Sequence, residues 1–271
     1  MSKKKAKKTT VKKKPKKTAA KTTKKKTTKK KLENVVKEGS LIYVDYIAKT
    51  KDDGRIFDLT LEEVAKEEGL YKEDDRYEPI LVAVGSNWLL ETIEDELVGM
   101  KVGESRTVEV PPEKGAGTRD DSLVKMIARA KLEKLGVRIV KGERIEFGKE
   151  RGVITAILPR KVRVDFNPPL AGKTLLFDVI VKGIVSDPKD KILAVLKRRI
   201  PALPDDKYEV SIKAKTIKIE FPKESRYIQD FQYAEIGIAM DSLKVIDSAE
   251  KVEMLVTYER PERQATAETG E

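Results

Sequence analysis

The sequence predicts an α+β protein: a β-rich body up to Val185, a small β-rich unit nested within it at residues 120–165, and a separate C-terminal α+β domain. Three observations lead there. Short runs of alternating apolar and polar residues recur between Leu41 and Val185, as half-buried strands require. Their texture changes between residues 120 and 165, where three short strands follow one another with turns between them. Asp187-Pro188 then marks a boundary, and beyond it helical and strand patterns interleave. The expected organisation is a Lys-rich tail at 1–35, a main domain at 36–119 and 166–186, the insertion at 120–165, an α+β domain at 187–259 and a polar tail at 260–271.

The first 31 residues hold 17 lysines and no acid, and after Met1 their one sizeable apolar side chain is Val11. Such a segment cannot offset the entropy of ordering, so a disordered polycation is expected. The whole chain carries a net charge of +11, which leaves −6 for the rest, so the basicity belongs to the tail. A polycation of this density attracts polyanions by counterion release, making nucleic acid or the ribosome the expected partner; a charge-bearing extension without a dedicated partner is the alternative. No aromatic residue lies among the lysines, so base stacking is not available.

From Leu41 the run LIYVDYIAKT alternates as a strand, with Ile42, Val44, Tyr46 and Ala48 on one face. Asp52 to Arg55 reads as a turn and Ile56 to Asp58 as a short extended piece. Thr60-Leu61-Glu62-Glu63 has the form of a capping box opening a helix that ends at Gly69. Pro79 to Val84 is a strand, and Trp88 to Met100 a helix with Leu89 or Leu90, Ile93 and Leu97 on one face. Gly103 to Val110 alternates again and leads into Pro111-Pro112-Glu113-Lys114-Gly115-Ala116-Gly117. Within the insertion, residues 122–136 read as helical or irregular, followed by the three strands. The long strand after Asn167-Pro168-Pro169 places Leu175, Phe177, Val179 and Val181 on one face. The last domain reads helix (189–199), strands (208–221), helix (225–246) and strand (251–258).

The chain has no cysteine and no histidine, which removes disulfides, thiolate nucleophiles, Ser-His-Asp triads and His or Cys metal sites. No metal and no cofactor are expected. No apolar run approaches the roughly 18 residues of a membrane span, so a cytoplasmic protein without membrane contact is expected. The glycines of Gly142 to Gly152 and of Gly115 to Gly117 lack the spacing of phosphate-binding loops. The acidic clusters Glu94 to Glu96 and Asp120-Asp121 read as solvated surface.

One spread-out constellation carries more. It comprises Tyr46, Asp53 to Asp58, Pro79 to Gly85, Leu89-Leu90 with Ile93-Glu94, Gly99 to Glu104, PPEK at 111–114, and the Leu175 to Val181 strand. In this order it resembles the FKBP-type peptidyl-prolyl cis/trans isomerases over about residues 38–185. FDLTLEEVAKEEGLY at 57–71, YEPILVAVG at 77–85 and VDFNPPLAGKTLLFDVIV at 164–181 resemble the SlyD-like and archaeal long-type branch, in which a chaperone domain interrupts the flap.

The resemblance implies an antiparallel half-barrel wrapped on one helix, with an apolar groove that receives proline. It implies catalytic roles for Tyr46, Asp58 and the Leu90 N–H, and substrate contacts from Phe57, Ile80, Val82, Leu89, Ile93, Ala116 and Phe177. Apolar candidates for a chaperone surface on the insertion are Ile139, Ile145, Phe147, Ile154 and Ile157. The implied activity is isomerisation of X-Pro bonds in unfolded or partly folded polypeptides, and the implied role of the C-terminal domain is homodimerisation or substrate holding. Ala116 stands where the family keeps a tyrosine, Thr92 where it keeps a glycine, and Ile93 where it keeps Leu or Trp. A chaperone or binding protein with a weakened site, tethered by its tail, is therefore the rival expectation.

Overall fold

The structure is a computed structural model that describes residues 34–204 and 207–258. The expectations for the Lys-rich tail before residue 34 and for the tail beyond 258 lie outside the described residues. The body begins slightly earlier than expected: Val35 bridges Lys101, the Val36 N–H donates to the Met100 carbonyl at 2.8 Å, and Val36 is buried. Two adjacent valines supply the apolar surface that the lysines lack.

The first sheet is antiparallel and five-stranded. Strands β1 (Leu41–Thr50), β2 (Ile56–Leu59), β3 (Ile80–Ala83), β4 (Ser105–Val110) and β9 (Leu175–Val185) pair in the order β2-β1-β9-β4, with β3 also on β1. The alternation of β1 divides its side chains: Ile42, Val44 and Ala48 enter a core with Val82, Val108, Phe177 and Val179. Helix α2 (Glu91–Leu97) closes that core through Ile93 and Leu97.

Between β2 and β3 lies α1 (Glu62–Glu67), whose N-cap is Leu61 without a side-chain cap. The expected capping box does not form, because the Thr60 hydroxyl is engaged elsewhere: it donates to Asp45 Oδ1 at 2.8 Å and accepts from the Tyr46 N–H at 2.9 Å. Helix α2 is also shorter than the expected 88–100, for a reason taken up with the site.

Residues 124–165 form a second antiparallel sheet in the order β5-β8-β7-β6, from β5 (Val124–Ala128), β6 (Arg144–Phe147), β7 (Glu150–Ile157) and β8 (Lys161–Asp165). Its core holds Ile127, Leu132, Ile145, Ile154, Val162, Val164 and Phe166, with Leu132 supplied by α3 (Arg129–Lys134). Strand β5 is one the sequence pattern did not announce, since VKMIA runs into a helix without an intervening turn.

Beyond Val185, Asp187 caps α4 (Pro188–Arg199) by accepting from the Lys189 and Asp190 N–H groups at 2.9 and 3.2 Å. Strands β10 (Glu209–Lys213), β11 (Thr216–Phe221) and β12 (Lys251–Val256) follow in that order, and α5 (Phe231–Val245) is the crossover joining the parallel pair β11 and β12. The helix expected over 225–246 divides into a 3-10 turn at Lys223–Tyr227 and α5, because Asp230 takes a left-handed conformation at φ 60° between them.

The core of this last unit includes Leu41, Leu81 and Ala83 from β1 and β3. The first sheet is thus covered on both faces there, by α2 on one and by the C-terminal unit on the other. Leu41 is fully buried in that shared core. Leu41→Ala should therefore cost about 2–5 kcal/mol, read as a lower urea midpoint.

Candidate functional site

Tyr46 lies on β1 with Val179 of β9 opposite it, and Ala48, two residues on, faces both Asp58 of β2 and Phe177 of β9. Side chains two apart on a strand share a face, so Tyr46, Asp58 and Phe177 converge around the small Ala48. The Tyr46 hydroxyl donates to Asp58 Oδ2 at 2.7 Å, and Oδ1 accepts from the Leu59 N–H at 2.9 Å. Burial, and then the hydrogen bond and negative charge of Asp58, push the Tyr46 hydroxyl well above its ordinary pKa, so it stays protonated.

Behind this pair sits the polar relay that replaced the capping box. Asp45, 3% exposed, takes the Thr60 hydroxyl on Oδ1 and lies 3.4 Å from Lys182 Nζ on Oδ2. Because Thr60 also accepts from the Tyr46 N–H, the relay fixes the backbone from which Tyr46 projects.

Phe57 reaches the same place by a different device. The β1–β2 register passes from Ala48 opposite Asp58 to Lys49 opposite Ile56, so Phe57 is the extra residue of a bulge. Its ring meets Phe177 edge-on at 6.1 Å, and Phe177 meets Tyr46 at 6.2 Å, giving an aromatic wall with Phe57 37% exposed.

A second segment packed on the same core depends on Glu94, which is buried at 3% exposure. Its Oε2 accepts from the N–H groups of Gly85 and Asn87 at 2.8 and 3.1 Å, and its Oε1 from that of Leu89 at 2.7 Å. The segment needs left-handed backbone at Gly85 (φ 83°) and Asn87 (φ 56°) to present those donors. This capture explains why α2 starts only at Glu91: residues 85–89 bend around a carboxylate and Leu90 is left extended as the N-cap. Leu89 and Leu90 are half-buried against the groove core, and no acceptor takes the Leu90 N–H among the described residues. The reading of Glu94 as solvated surface is thus overturned. Three consecutive acids on an apparent helix face look alike in sequence, and the signal that could have singled out Glu94 was its place one residue after Ile93, beside a glycine-containing turn.

Ile80 is half-buried at the edge of this core, whereas Val82 and Ile93 are fully buried and underlie the floor without offering surface to a ligand. Ala116 lies in the loop after β4, where the Gly115 and Gly117 N–H groups both return to the Pro112 carbonyl at 3.1 and 2.8 Å. Among the described residues the buried Thr92 hydroxyl has no partner, a cost of about 1–3 kcal/mol.

On the inserted unit, Ile145 and Ile154 are core residues, 5% and 0% exposed, and cannot form an apolar surface. Ile139 and Phe147 pack half-buried against that core, and Ile157 alone of the five is exposed. The alternation along β6 and β7 sends Ile145 and Ile154 inward, while the exposed apolar residues of this unit include Met126, Leu135, Val140 and Leu158. Among the described residues no group of three or more acidic side chains gathers as a metal site.

Residues 33–182, more than half of the chain, match the family described as FKBP-type peptidyl-prolyl cis-trans isomerase. The chain belongs to the FKBP-type peptidyl-prolyl cis-trans isomerases. Residues 188–259 match a second family, FKBP26_C-terminal. A short-type peptidyl-prolyl cis-trans isomerase of Methanocaldococcus jannaschii is 38% identical over 151 residues, 56% of this chain and 95% of that protein. The FKBP-type isomerase SlyD of Aeromonas hydrophila is 28% identical over 149 residues, 54% of this chain and 62% of the relative. A trigger factor of Francisella tularensis is 25% identical over 260 residues, 86% of this chain and 56% of that protein. No described helix of this FKBP-type chain is long and apolar enough to cross a membrane.

Glu94→Gln supplies one carbonyl acceptor and an amide donor where two carboxylate oxygens accept three N–H groups. It should lower stability by about 2 kcal/mol in urea unfolding, with the loss larger than that of Glu96→Gln on the solvent side of α2.

Proposed function

We propose that the groove between the Tyr46–Phe57–Phe177 wall and the Leu89–Leu90 segment isomerises X-Pro bonds of non-native polypeptides, and that the unit at 120–165 holds those chains. In this reading the five-stranded sheet with α2 is the family's half-barrel. The observation that carries it is the Leu90 N–H, left without an acceptor among the described residues and packed on the same core as an aromatic wall whose polar groups, Tyr46 and Asp58, are paired to each other.

Rotation about an X-Pro bond breaks no bond to hydrogen or carbon; its barrier of about 18–20 kcal/mol is loss of amide resonance. An apolar cleft favours the twisted, less polar amide, and one N–H donor can hold the carbonyl preceding proline. Tyr46 and Asp58 orient the groove, Phe57, Ile80 and Leu89 contact the proline, and Phe177, Val82 and Ile93 back it. A chain without histidine or cysteine suits this chemistry. Exposed Met126, Leu135, Val140 and Ile157 give the inserted unit apolar surface for unfolded chains, and Tyr233, Ile236 and Met240 along α5 do the same for the C-terminal unit, where a client or a second copy would bind.

Refolding of a substrate protein with a slow proline phase of tens to hundreds of seconds should accelerate at catalytic amounts of this protein. No acceleration even at stoichiometric amounts sinks the catalytic reading.

Ala116 favours the second reading, a holding protein with a weakened groove, because a methyl group cannot donate to a substrate carbonyl. Ala116→Tyr discriminates between the two. A gain of about tenfold or more in kcat/KM points to the weakened site, and little change points to a groove that relies on Leu90.

A further inference from the structure

Trp88, the chain's single tryptophan, belongs to the segment that carries Leu89 and Leu90, and it packs against both the groove core and the core of the C-terminal unit. The Arg198 guanidinium of α4 lies over its ring, 3.9 Å from the centroid. Arg198 is itself held: its Nη1 donates to Asp241 Oδ2 of α5 at 3.1 Å, and the same oxygen takes Arg199 at 2.7 Å. Asp241 is only 3% exposed, so this anchor is built into the helix pair of the C-terminal unit. A second contact runs alongside it, Lys197 Nζ lying 3.6 Å from Glu78, two residues before β3 and Ile80.

We propose that Arg198 is a positioning residue for the isomerase groove, acting through Trp88, so that the C-terminal unit sets the placement of Leu89 and the Leu90 N–H. The segment is gripped from two sides. Glu94 holds its backbone from within α2, and Arg198 holds its largest side chain from another unit of the chain. Glu94 binds the N–H groups of residues 85, 87 and 89 but leaves the indole to be fixed by its surroundings, and the guanidinium is the charged group stacked on it. A cation over a tryptophan contributes about 0.5–2 kcal/mol. Any rearrangement of α4 and α5 therefore reaches the groove through a contact at Trp88, two residues before the proposed donor at Leu90. The inference rests on the reading that the groove isomerises prolyl bonds.

The test uses the full chain and a short proline peptide. Arg198→Met should lower kcat/KM about three- to thirtyfold, mainly through KM, and shift the emission of Trp88. Arg198→Lys, which keeps a cation over the ring, should recover part of the loss. Combining Arg198→Met with Trp88→Phe should give no more than the larger single effect, since both remove one contact. Wild-type kcat/KM in Arg198→Met despite shifted emission overturns the inference, and so does a loss that tracks thermal stability and that lysine does not restore. Inactivity of the wild-type protein is a different result: it removes the proposed function and this inference with it.

Discussion

The buried carboxylate of Glu94 is the constraint on which the groove depends. An ionised carboxylate out of water costs several kcal/mol unless its oxygens are satisfied, and here the N–H groups of Gly85, Asn87 and Leu89 satisfy them. The demand runs both ways. Those three donors would be unpaired without Glu94, and the carboxylate would be stranded without the left-handed turns that aim them. Chain direction through residues 85–90 is thereby decided, and with it the start of α2 and the half-buried placement of Trp88, Leu89 and Leu90. The Asp45–Thr60–Tyr46 relay does the same for the facing wall. Two buried acids, Glu94 satisfied by backbone donors and Asp45 by the Thr60 hydroxyl and the Lys182 ammonium, thus fix the two segments that flank the proposed cleft.

The cleft also needs a rigid floor, and that comes from burial on both faces of β1 and β3. Most antiparallel sheets can leave one face wet. Here Ile42, Val44 and Val82 point to α2, while Leu41, Leu81 and Ala83 point to the C-terminal unit. Neither face can slip by one residue without placing polar side chains such as Asp45 in an apolar core. The C-terminal unit is therefore part of what holds the first sheet in register, which makes a contact such as Arg198 on Trp88 a natural extension of the packing.

What the sequence made legible follows from the range of each signal. Period-2 alternation gave β1, β4 and β9, and the proline at 188 gave the start of α4, because those are local consequences of burial and of a missing amide hydrogen. Tyr46, Asp58 and Phe177 were found as a set through resemblance, and the register around Ala48 explains why they meet. The misses share a cause. Glu94 was hidden among Glu-Asp-Glu because only a bend in the preceding segment turns it inward. Phe57 itself is named from the resemblance, but the bulge that brings it to Phe177 has no composition of its own. Ile145 and Ile154 read as surface in the sequence because an isolated short strand does not say which face is covered. The pairing of Trp88 with Arg198 spans two units, and no local pattern carries it.

The arrangement also bears on how a site without histidine or cysteine works. Tyr46 stays protonated because burial and Asp58 both oppose its ionisation, so its hydroxyl remains a donor to Asp58. Tyr46 is not poised to give up a proton, and amide rotation does not require one. With the couple internally satisfied, the proposed substrate donor is the Leu90 N–H, which has no acceptor among the described residues and follows directly on the Leu89 N–H held by Glu94. In the proposed mechanism, catalysis depends on how accurately that donor and the aromatic wall are placed, which makes it sensitive to backbone placement. That sensitivity is the physical reason for a groove to be braced by elements far from it in sequence.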